Sequence, residues 1–370
     1  MKIQKKVGIL TVHHAYNFGA MLQSYATYRM IKDMGFHAEI IDYDNDTFAN
    51  ERYIFLPFNS VGNIVRNLRS IFQYGQLKQR VEKYEKFYRL IKVSNRKYSN
   101  NNIGEVEGYD IVLTGSDQTF CLYLTDNPDD IRPFFLKEIH GVRKVSYASS
   151  MGEKFYKLTN EDNTWIGECL NEYSYLSVRE EKSVDYISKL IGVQPELVLD
   201  PTLLLEENQW TQVMADTKYN NCEYIAFYTV LSEPWVIKYV NALSKKTGLK
   251  VVALHPRTRY EINSKFDYVG ALGPSEFLSM IKNATYVVTT SFHATAFSII
   301  FKKQFVSLKI GEGNRLRSLL NMLNLDNQLI SETSCSDFSI LTDRINWEVP
   351  YEMLSKEKEK SRLYLLNALK

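Results

Sequence analysis

Val7-Gly-Ile-Leu-Thr-Val12 is followed by the loop His13-His-Ala-Tyr-Asn-Phe-Gly19, a stretch of helical period over residues 20–34, the stop Gly35, and Phe36-His-Ala-Glu-Ile-Ile-Asp-Tyr43. A short apolar run like the first reads as a strand buried on both faces, and strand, loop, helix, strand is a βαβ unit. Similar runs recur at 109–113, 144–148, 175–178 and 196–199. Each ends in small or polar residues: Thr114-Gly-Ser-Asp-Gln118, Ser149-Ser-Met-Gly152, Arg179 and Asp200-Pro-Thr202. In open parallel sheets ligands bind at the carboxyl ends of strands, so these ends are where chemistry is sought.

A second alternating set follows, with strands expected at 224–228, 250–254, 268–269, 286–290 and 304–308 and helices at 235–246, 274–283 and 295–301. The expected organisation is an N-terminal α/β domain over 1–205, a C-terminal α/β domain over 206–348, and a helix over 349–370 that crosses back to the first. A chain of 370 residues exceeds what one core usually serves, which agrees with two domains. Within the first domain, residues 61–97 read as a helical insertion with ten Lys or Arg and only two acidic residues, Glu82 and Glu85. Two readings of it stay open: a solvated basic face, or a dock for anionic lipid or lipid pyrophosphate.

Composition narrows the classes. The chain is 45% hydrophobic and 24% charged, which suits a folded protein and excludes a disordered one. Its 45 Lys plus Arg nearly balance 43 Asp plus Glu, so no global field recruits nucleic acid. Cys121, Cys169, Cys222 and Cys335 are far apart, with no CxxC or Cys/His cluster, which argues against zinc and a disulfide framework. No signal-peptide core and no apolar run of membrane-spanning length is found, so the expected location is cytoplasmic.

The sharpest local feature is Val287-Val-Thr-Thr-Ser-Phe-His-Ala-Thr-Ala-Phe-Ser298. His293 falls in the turn between a strand and a helix, where free backbone N–H groups favour an anion. The alternative is a hydrogen-bonded turn histidine. His13, His14 and His255 also follow strands, but no carboxylate partner is legible for the first two. Arg257 and Arg259, just after His255, are further candidates for lining an anion site. No GxGxxG or GxxxxGK[ST] loop is present.

Six stretches together resemble the polysaccharide pyruvyl transferase family: Asn17-Phe-Gly-Ala-Met-Leu-Gln-Ser-Tyr-Ala26, Gly115-Ser-Asp-Gln118, Tyr147-Ala-Ser-Ser-Met-Gly152, Ser177-Val-Arg-Glu-Glu-Lys-Ser183, Leu199-Asp-Pro-Thr202 and Ser291-Phe-His-Ala294. The resemblance implies two Rossmann-like α/β domains facing across a cleft, as in GT-B glycosyltransferases, with the acceptor on the first domain and phosphoenolpyruvate on the second. It implies transfer of the enolpyruvyl unit of phosphoenolpyruvate to a galactose-type sugar of an exopolysaccharide or capsular precursor, usually as a cyclic ketal. His293 is implied as the acid, and Arg315 and Arg179 as donor-binding residues. Two departures stand out: Ser291 where many members have Arg, and Phe120-Cys121 where they have Trp-Asn. Arg317, Lys303 or Lys309 could compensate for the first.

The chemistry suits these residue types. Guanidinium groups bind the donor's phosphate and carboxylate through directed hydrogen bonds, and imidazole titrates close to neutral pH. Asp117, at a strand's carboxyl end, is the candidate base, with helix capping as its alternative role. Asn17, Gln118 and Gln23 could hydrogen-bond a sugar, and Asp200 before Pro201 fits a turn. No metal and no cofactor is expected beyond phosphoenolpyruvate as co-substrate. The acceptor sugar could be free, nucleotide-linked or carried on undecaprenyl pyrophosphate, with peripheral contact at the inner membrane. Two other readings remain: a nucleotide-sugar-dependent GT-B glycosyltransferase, and a non-catalytic binding subunit of polysaccharide assembly.

Overall fold

The computed structural model describes residues 5–58, 60–255, 259–261, 264–334 and 343–370. Arg257, the side chain of Arg259, and Cys335 therefore lie outside the described residues. The chain divides into two compact units, Met1–Arg52 with Tyr88–Leu205 and Ser355–Lys370, and Tyr53–Phe87 with Glu206–Leu354.

In the first unit, β1 (Lys6–Leu10) leads through α1 (Phe18–Asp33) to β2 (His37–Tyr43) and the short α2 (Asp46–Arg52). α3 (Val61–Phe72) and α4 (Tyr74–Tyr88) come next in the chain, and up to Phe87 they group with the second unit. The first unit resumes with β3 (Val93–Tyr98), β4 (Ile111–Thr114), β5 (Arg143–Ser146), α5 (Asn160–Asn171), β6 (Ser177–Val178), α6 (Glu181–Ile191) and β7 (Glu196–Leu197). Its main sheet is parallel, in the order β3-β2-β1-β4-β5. Val7 pairs with Ala38 on one side and Ile111 on the other, which places the opening apolar run at the centre of the sheet. Burial on both faces is why β1 and β4 lack polar alternation. β6 and β7 form a further parallel pair, joined towards β5 by the Val145–Tyr175 bridge.

Two features differ from the sequence reading. Residues 93–98 are a strand rather than the end of a helical insertion, and Asn95, Arg96 and Lys97 are exposed on it because it is the sheet edge. The helices before it group with the second unit. There Lys83 donates to the Ala271 carbonyl at 2.7 Å and pairs with Glu276 at 3.3 Å.

The second unit contains α7 (Glu207–Thr211), β8 (Tyr224–Tyr228), α8 (Pro234–Thr247), β9 (Lys250–Ala253), β10 (Asp267–Tyr268), α9 (Pro274–Asn283), β11 (Tyr286–Thr289), α10 (Phe292–Ile300), β12 (Gln304–Leu308), α11 (Asn314–Met322) and β13 (Leu329–Ile330). Its sheet runs β10-β9-β8-β11-β12-β13, all parallel. Both units thus start at a central strand, build outward to one side, and then return to the other. The reversal lies between β1 and β4 in the first and between β8 and β11 in the second, the positions where doubly wound sheets open a crevice.

The closing helix α12 (Glu348–Leu369) is shared between the units by sequence, with Ser355–Lys370 in the first. Ser361 accepts from the Leu199 N–H at 3.0 Å, Arg362 donates to the Leu204 carbonyl at 2.6 Å, and the Tyr364 hydroxyl donates to the Ser146 carbonyl at 2.9 Å. Leu365, Ala368 and Leu369 are fully buried. Leu365→Ala should therefore lower stability by roughly 2–4 kcal/mol, read as a fall in the urea midpoint with unchanged slope. An unchanged midpoint would show that the tail contributes nothing to the core.

Candidate functional site

In the first unit the carboxyl ends of β4, β5 and β6 converge on a buried guanidinium. Arg179, one residue past β6, is 3% exposed. Its Nη1 donates to Asp200 Oδ2 at 2.7 Å and its Nη2 to Asp117 Oδ1 at 2.8 Å, while Nε lies 3.8 Å from Glu180 Oε2. Burial pulls the guanidinium pKa down, but the charges of Asp117, Asp200 and Glu180 outweigh it and hold the value above that of ordinary arginine. Asp200 also accepts from the Ser116 hydroxyl at 2.8 Å and, through its other oxygen, from Thr202 N–H and hydroxyl. It holds the Pro201–Leu204 turn and one side of Arg179 at once.

Asp117 sits in a left-handed conformation, φ 70°, after Gly115 at φ 112°. A Cβ on Gly115 would lie 2.1 Å from the Tyr147 carbonyl, so only glycine fits there. No helix follows Asp117, so its alternative role as a helix cap does not apply. Its carbonyl accepts from Ser150 N–H at 2.8 Å and its carboxylate, 18% exposed, reaches the surface beside Arg179. Gln118 lies against Gly152, where a Cβ would come within 2.8 Å of its Oε1. Asn17 caps α1, its Oδ1 accepting from Gly19 and Ala20 N–H. Gln23 does not face solvent: it is fully buried and donates to Thr11 Oγ1 and the Val12 carbonyl, bracing the loop after β1.

That loop holds a pairing invisible in the sequence. His13 Nε2 lies 3.3 Å from Asp42 Oδ1 on β2, and Nδ1 lies 3.0 Å from the Thr11 carbonyl. Burial raises the Asp42 pKa, but its hydrogen bond with His13 and the charges of His13, Lys97 and His14 bring it below the ordinary value. His14 stacks on Tyr88 with centroids 4.1 Å apart.

In the second unit the reversal point is built from hydroxyls. Thr289 donates to the Tyr228 carbonyl at 2.7 Å and accepts from Ser291 N–H at 3.0 Å, and the Thr229 and Thr290 hydroxyls meet at 2.9 Å. Ser291 caps α10, accepting from Ala294 N–H at 3.5 Å. The helix opens at Phe292, three residues earlier than the sequence suggests, so His293 stands in its first turn rather than in a loop. It is 7% exposed, with its ring edge-on to Phe292 at 5.3 Å.

Arg315 opens α11 after the left-handed Gly313, whose α-carbon is packed by the stem of Lys309. Arg315 is half-buried, and among the described residues no carboxylate or carbonyl pairs with it. Because β11 and β12 are parallel neighbours, α10 and α11 both start at the same edge of the sheet, and the two helices pack together. His293 and Arg315 thus share that edge, while Asp117 and Arg179 form their own cluster in the first unit.

His255, after β9, has a partner that sequence reading missed. Its Nε2 lies 2.8 Å from the fully buried Glu261. Thr229 N–H donates to Nδ1 at 3.4 Å, so the proton resides on Nε2 and is given to the carboxylate. Among the described residues no group of three His, Cys, Asp or Glu could hold a metal ion.

The model of one protein family, described as polysaccharide pyruvyl transferase, matches residues 17–311, well over half of the chain. The chain belongs to the polysaccharide pyruvyl transferase family. It is therefore a member of a transferase family, and the match includes Asn17, Asp117, Gln118, Arg179, Ser291 and His293; Arg315 lies four residues beyond it. No curated protein matches the chain significantly. Among solved structures, UDP-GlcNAc 2-epimerase from Methanocaldococcus jannaschii is similar at TM-score 0.55 and 14% identity, covering 97% of this chain and 99% of its own. UDP-N-acetylglucosamine 2-epimerase from Rickettsia bellii gives TM-score 0.55 at 10% identity, with 99% and 97% covered. At such identities the likeness establishes the fold alone, which is GT-B-like.

The buried charge cluster in the first unit has a direct stability signature. Arg179→Met should destabilise by roughly 3–5 kcal/mol, because Asp117, Asp200 and Glu180 lose their shared counter-charge. Carboxylates left desolvated bind protons more tightly folded than unfolded, so their contribution is present at low pH and lost as pH rises. The gap in melting temperature to wild type should therefore be smaller at pH 5 than at pH 8. A gap independent of pH would contradict the ionic account.

Proposed function

We propose that this family member moves the three-carbon unit of phosphoenolpyruvate onto a galactose-type sugar of an exopolysaccharide or capsular precursor, as a cyclic ketal. The observation that carries the reading is the joint placement of His293 and of Arg315, which has no carboxylate or carbonyl partner among the described residues, at helix N-termini on one edge of the second unit's sheet, in a chain of this family. Arg315 binds the donor anion, assisted by Lys309 and by the N–H groups of the first turn of α11. Ser291 keeps α10 capped, so the loss of an arginine at that position leaves the histidine in place.

His293 delivers a proton to the methylene carbon, which makes the neighbouring carbon electrophilic. One sugar hydroxyl adds there, the bond from that carbon to the phosphate oxygen breaks, and a second hydroxyl closes the ketal. The balance is two hydroxyl protons lost, one net to the new methyl group and one leaving on phosphate. Asp117 accepts a hydroxyl proton. Arg179, expected from the family to sit near the donor, acts here as a positioning residue, since its terminal nitrogens hold Asp117 and Asp200. Asn17 and Gln118 offer amide groups to the acceptor. These steps are the same whether the sugar is free, nucleotide-linked or carried on undecaprenyl pyrophosphate.

Donor class is tested without knowing the acceptor. Phosphoenolpyruvate should raise the melting temperature where UDP and pyruvate do not, and Arg315→Met should abolish the effect. Stabilisation by UDP alone would favour a nucleotide-sugar glycosyltransferase, and neither ligand binding would favour a non-catalytic subunit. With phosphate release followed on a panel of galactosides, His293→Gln should cut turnover by roughly 100-fold to 10,000-fold while the thermal shift persists. A stable variant with near-normal turnover would remove His293 from the mechanism. Activity should also survive EDTA, because arginine and lysine suffice for the donor's charges. Loss restored by magnesium or manganese would overturn that.

A further inference from the structure

Helix α3 carries its amphipathic pattern reversed. The residues it buries are polar: Asn67 is 2% exposed and Ser70 6%. Asn67 clamps Leu56, accepting its N–H at 2.9 Å and donating to its carbonyl at 2.8 Å, and Asn63 donates to the Pro57 carbonyl at 2.9 Å. The apolar residues face solvent instead. Val61, Ile64, Val65, Leu68, Ile71 and Phe72 are all exposed, Phe72 at 90%. At about 100° per residue these six fall within an arc of about 120°, the width of a face normally turned to a core. Tyr53, Phe55 and Phe58 before the helix and Tyr74 after it extend the patch, with Phe55 stacked on Tyr74 at 6.1 Å.

A contiguous patch of this kind marks an interaction surface, because apolar area left in water forgoes about 25 cal/mol per Å² of stabilisation. Charge identifies what covers it. α3 contains two arginines and no acid, and α3 with α4, over the residues 61–87 that belong to the second unit, carries six basic residues against two acidic ones in a chain of net charge +2. On the same wheel Arg69 falls about 40° past the Val65 edge of the apolar arc and Arg66 about 100° past it; Arg66, and Lys78 and Lys86 on α4, are exposed. An apolar arc with flanking cations and rim aromatics is the pattern of a helix lying in a negatively charged lipid interface. No helix among the described residues is long and apolar enough to cross a membrane.

We infer that α3 is an interfacial helix that binds the surface of an anionic bilayer, its apolar arc in the headgroup and acyl boundary and its basic flank on lipid phosphates. The inference stands apart from the proposed reaction, since α3 carries none of the residues given a role in it.

The test is co-sedimentation of the full chain with vesicles of equimolar phosphatidylglycerol and phosphatidylcholine. Wild type should pellet with these vesicles, less so as salt rises, and stay in the supernatant with phosphatidylcholine alone. Leu68→Ser with Ile71→Ser and Phe72→Ser should abolish pelleting while melting temperature holds, because these side chains are exposed. Arg66→Glu should weaken partitioning roughly 10-fold to 30-fold. Wild type that ignores the acidic vesicles, binds neutral ones equally, or is unaffected by the triple substitution would overturn the proposal. So would a wild-type dimer, seen by light scattering, that fails to pellet and is split by the triple substitution, since that assigns the patch to a second copy.

Discussion

The carboxyl edge of the first unit is organised by one constraint: a guanidinium with almost no access to water must be surrounded by enough negative charge to stay there. Arg179 meets it by drawing in Asp117 from the turn after β4 and Asp200 from the turn after β7, with Glu180 beside it. Each carboxylate is then held by further groups. Ser116 and Thr202 bind Asp200, while Ser150, Met151 N–H and Ser183 bind Glu180. The serine-rich ends of these strands are thus the satisfaction of buried charge. The same network holds the left-handed Asp117, its carboxylate on Arg179 Nη2 and its carbonyl on Ser150 N–H.

The second unit solves its reversal point without charge. Hydroxyls of Thr229, Thr289, Thr290 and Ser291 tie β8 to β11 and start α10 directly after the strand. This puts His293 in the first turn of a helix, at the positive end of its dipole. The His255–Glu261 pair sits at the neighbouring strand end, with its tautomer set by Thr229 N–H. Arg315 is half-buried with no carboxylate or carbonyl partner among the described residues, whereas Arg179 is held by the carboxylates of its own unit.

What could be read from sequence follows from period and punctuation. Apolar runs bounded by glycine, proline and small polar residues mark the buried parallel strands, because burial on both faces removes alternation. Edge strand β3 was unreadable for the opposite reason: its exposed Asn95, Arg96 and Lys97 continue the basic pattern of the helices before it. The Asp42 partner of His13 depends on β1 and β2 lying in register, and Glu261 depends on a turn six residues beyond His255; neither spacing matches a motif. Arg179 and Asp117 stand out in the sequence as candidate site residues, but nothing in it marks them as each other's partners. The reversed amphipathicity of α3 needed burial to be seen, since its wheel alone looks like any helix facing a core.

In the reaction we propose, the enolpyruvyl carbon of phosphoenolpyruvate becomes bonded to sugar oxygen after protonation of the methylene. Running the reaction in deuterated water with carbon-labelled phosphoenolpyruvate and following the product by NMR tests it most directly. The account predicts a ketal carbon bearing a methyl group with one deuterium, formed together with inorganic phosphate. A product that retains the methylene, or a sugar transferred from a nucleotide while phosphoenolpyruvate stays intact, would contradict it.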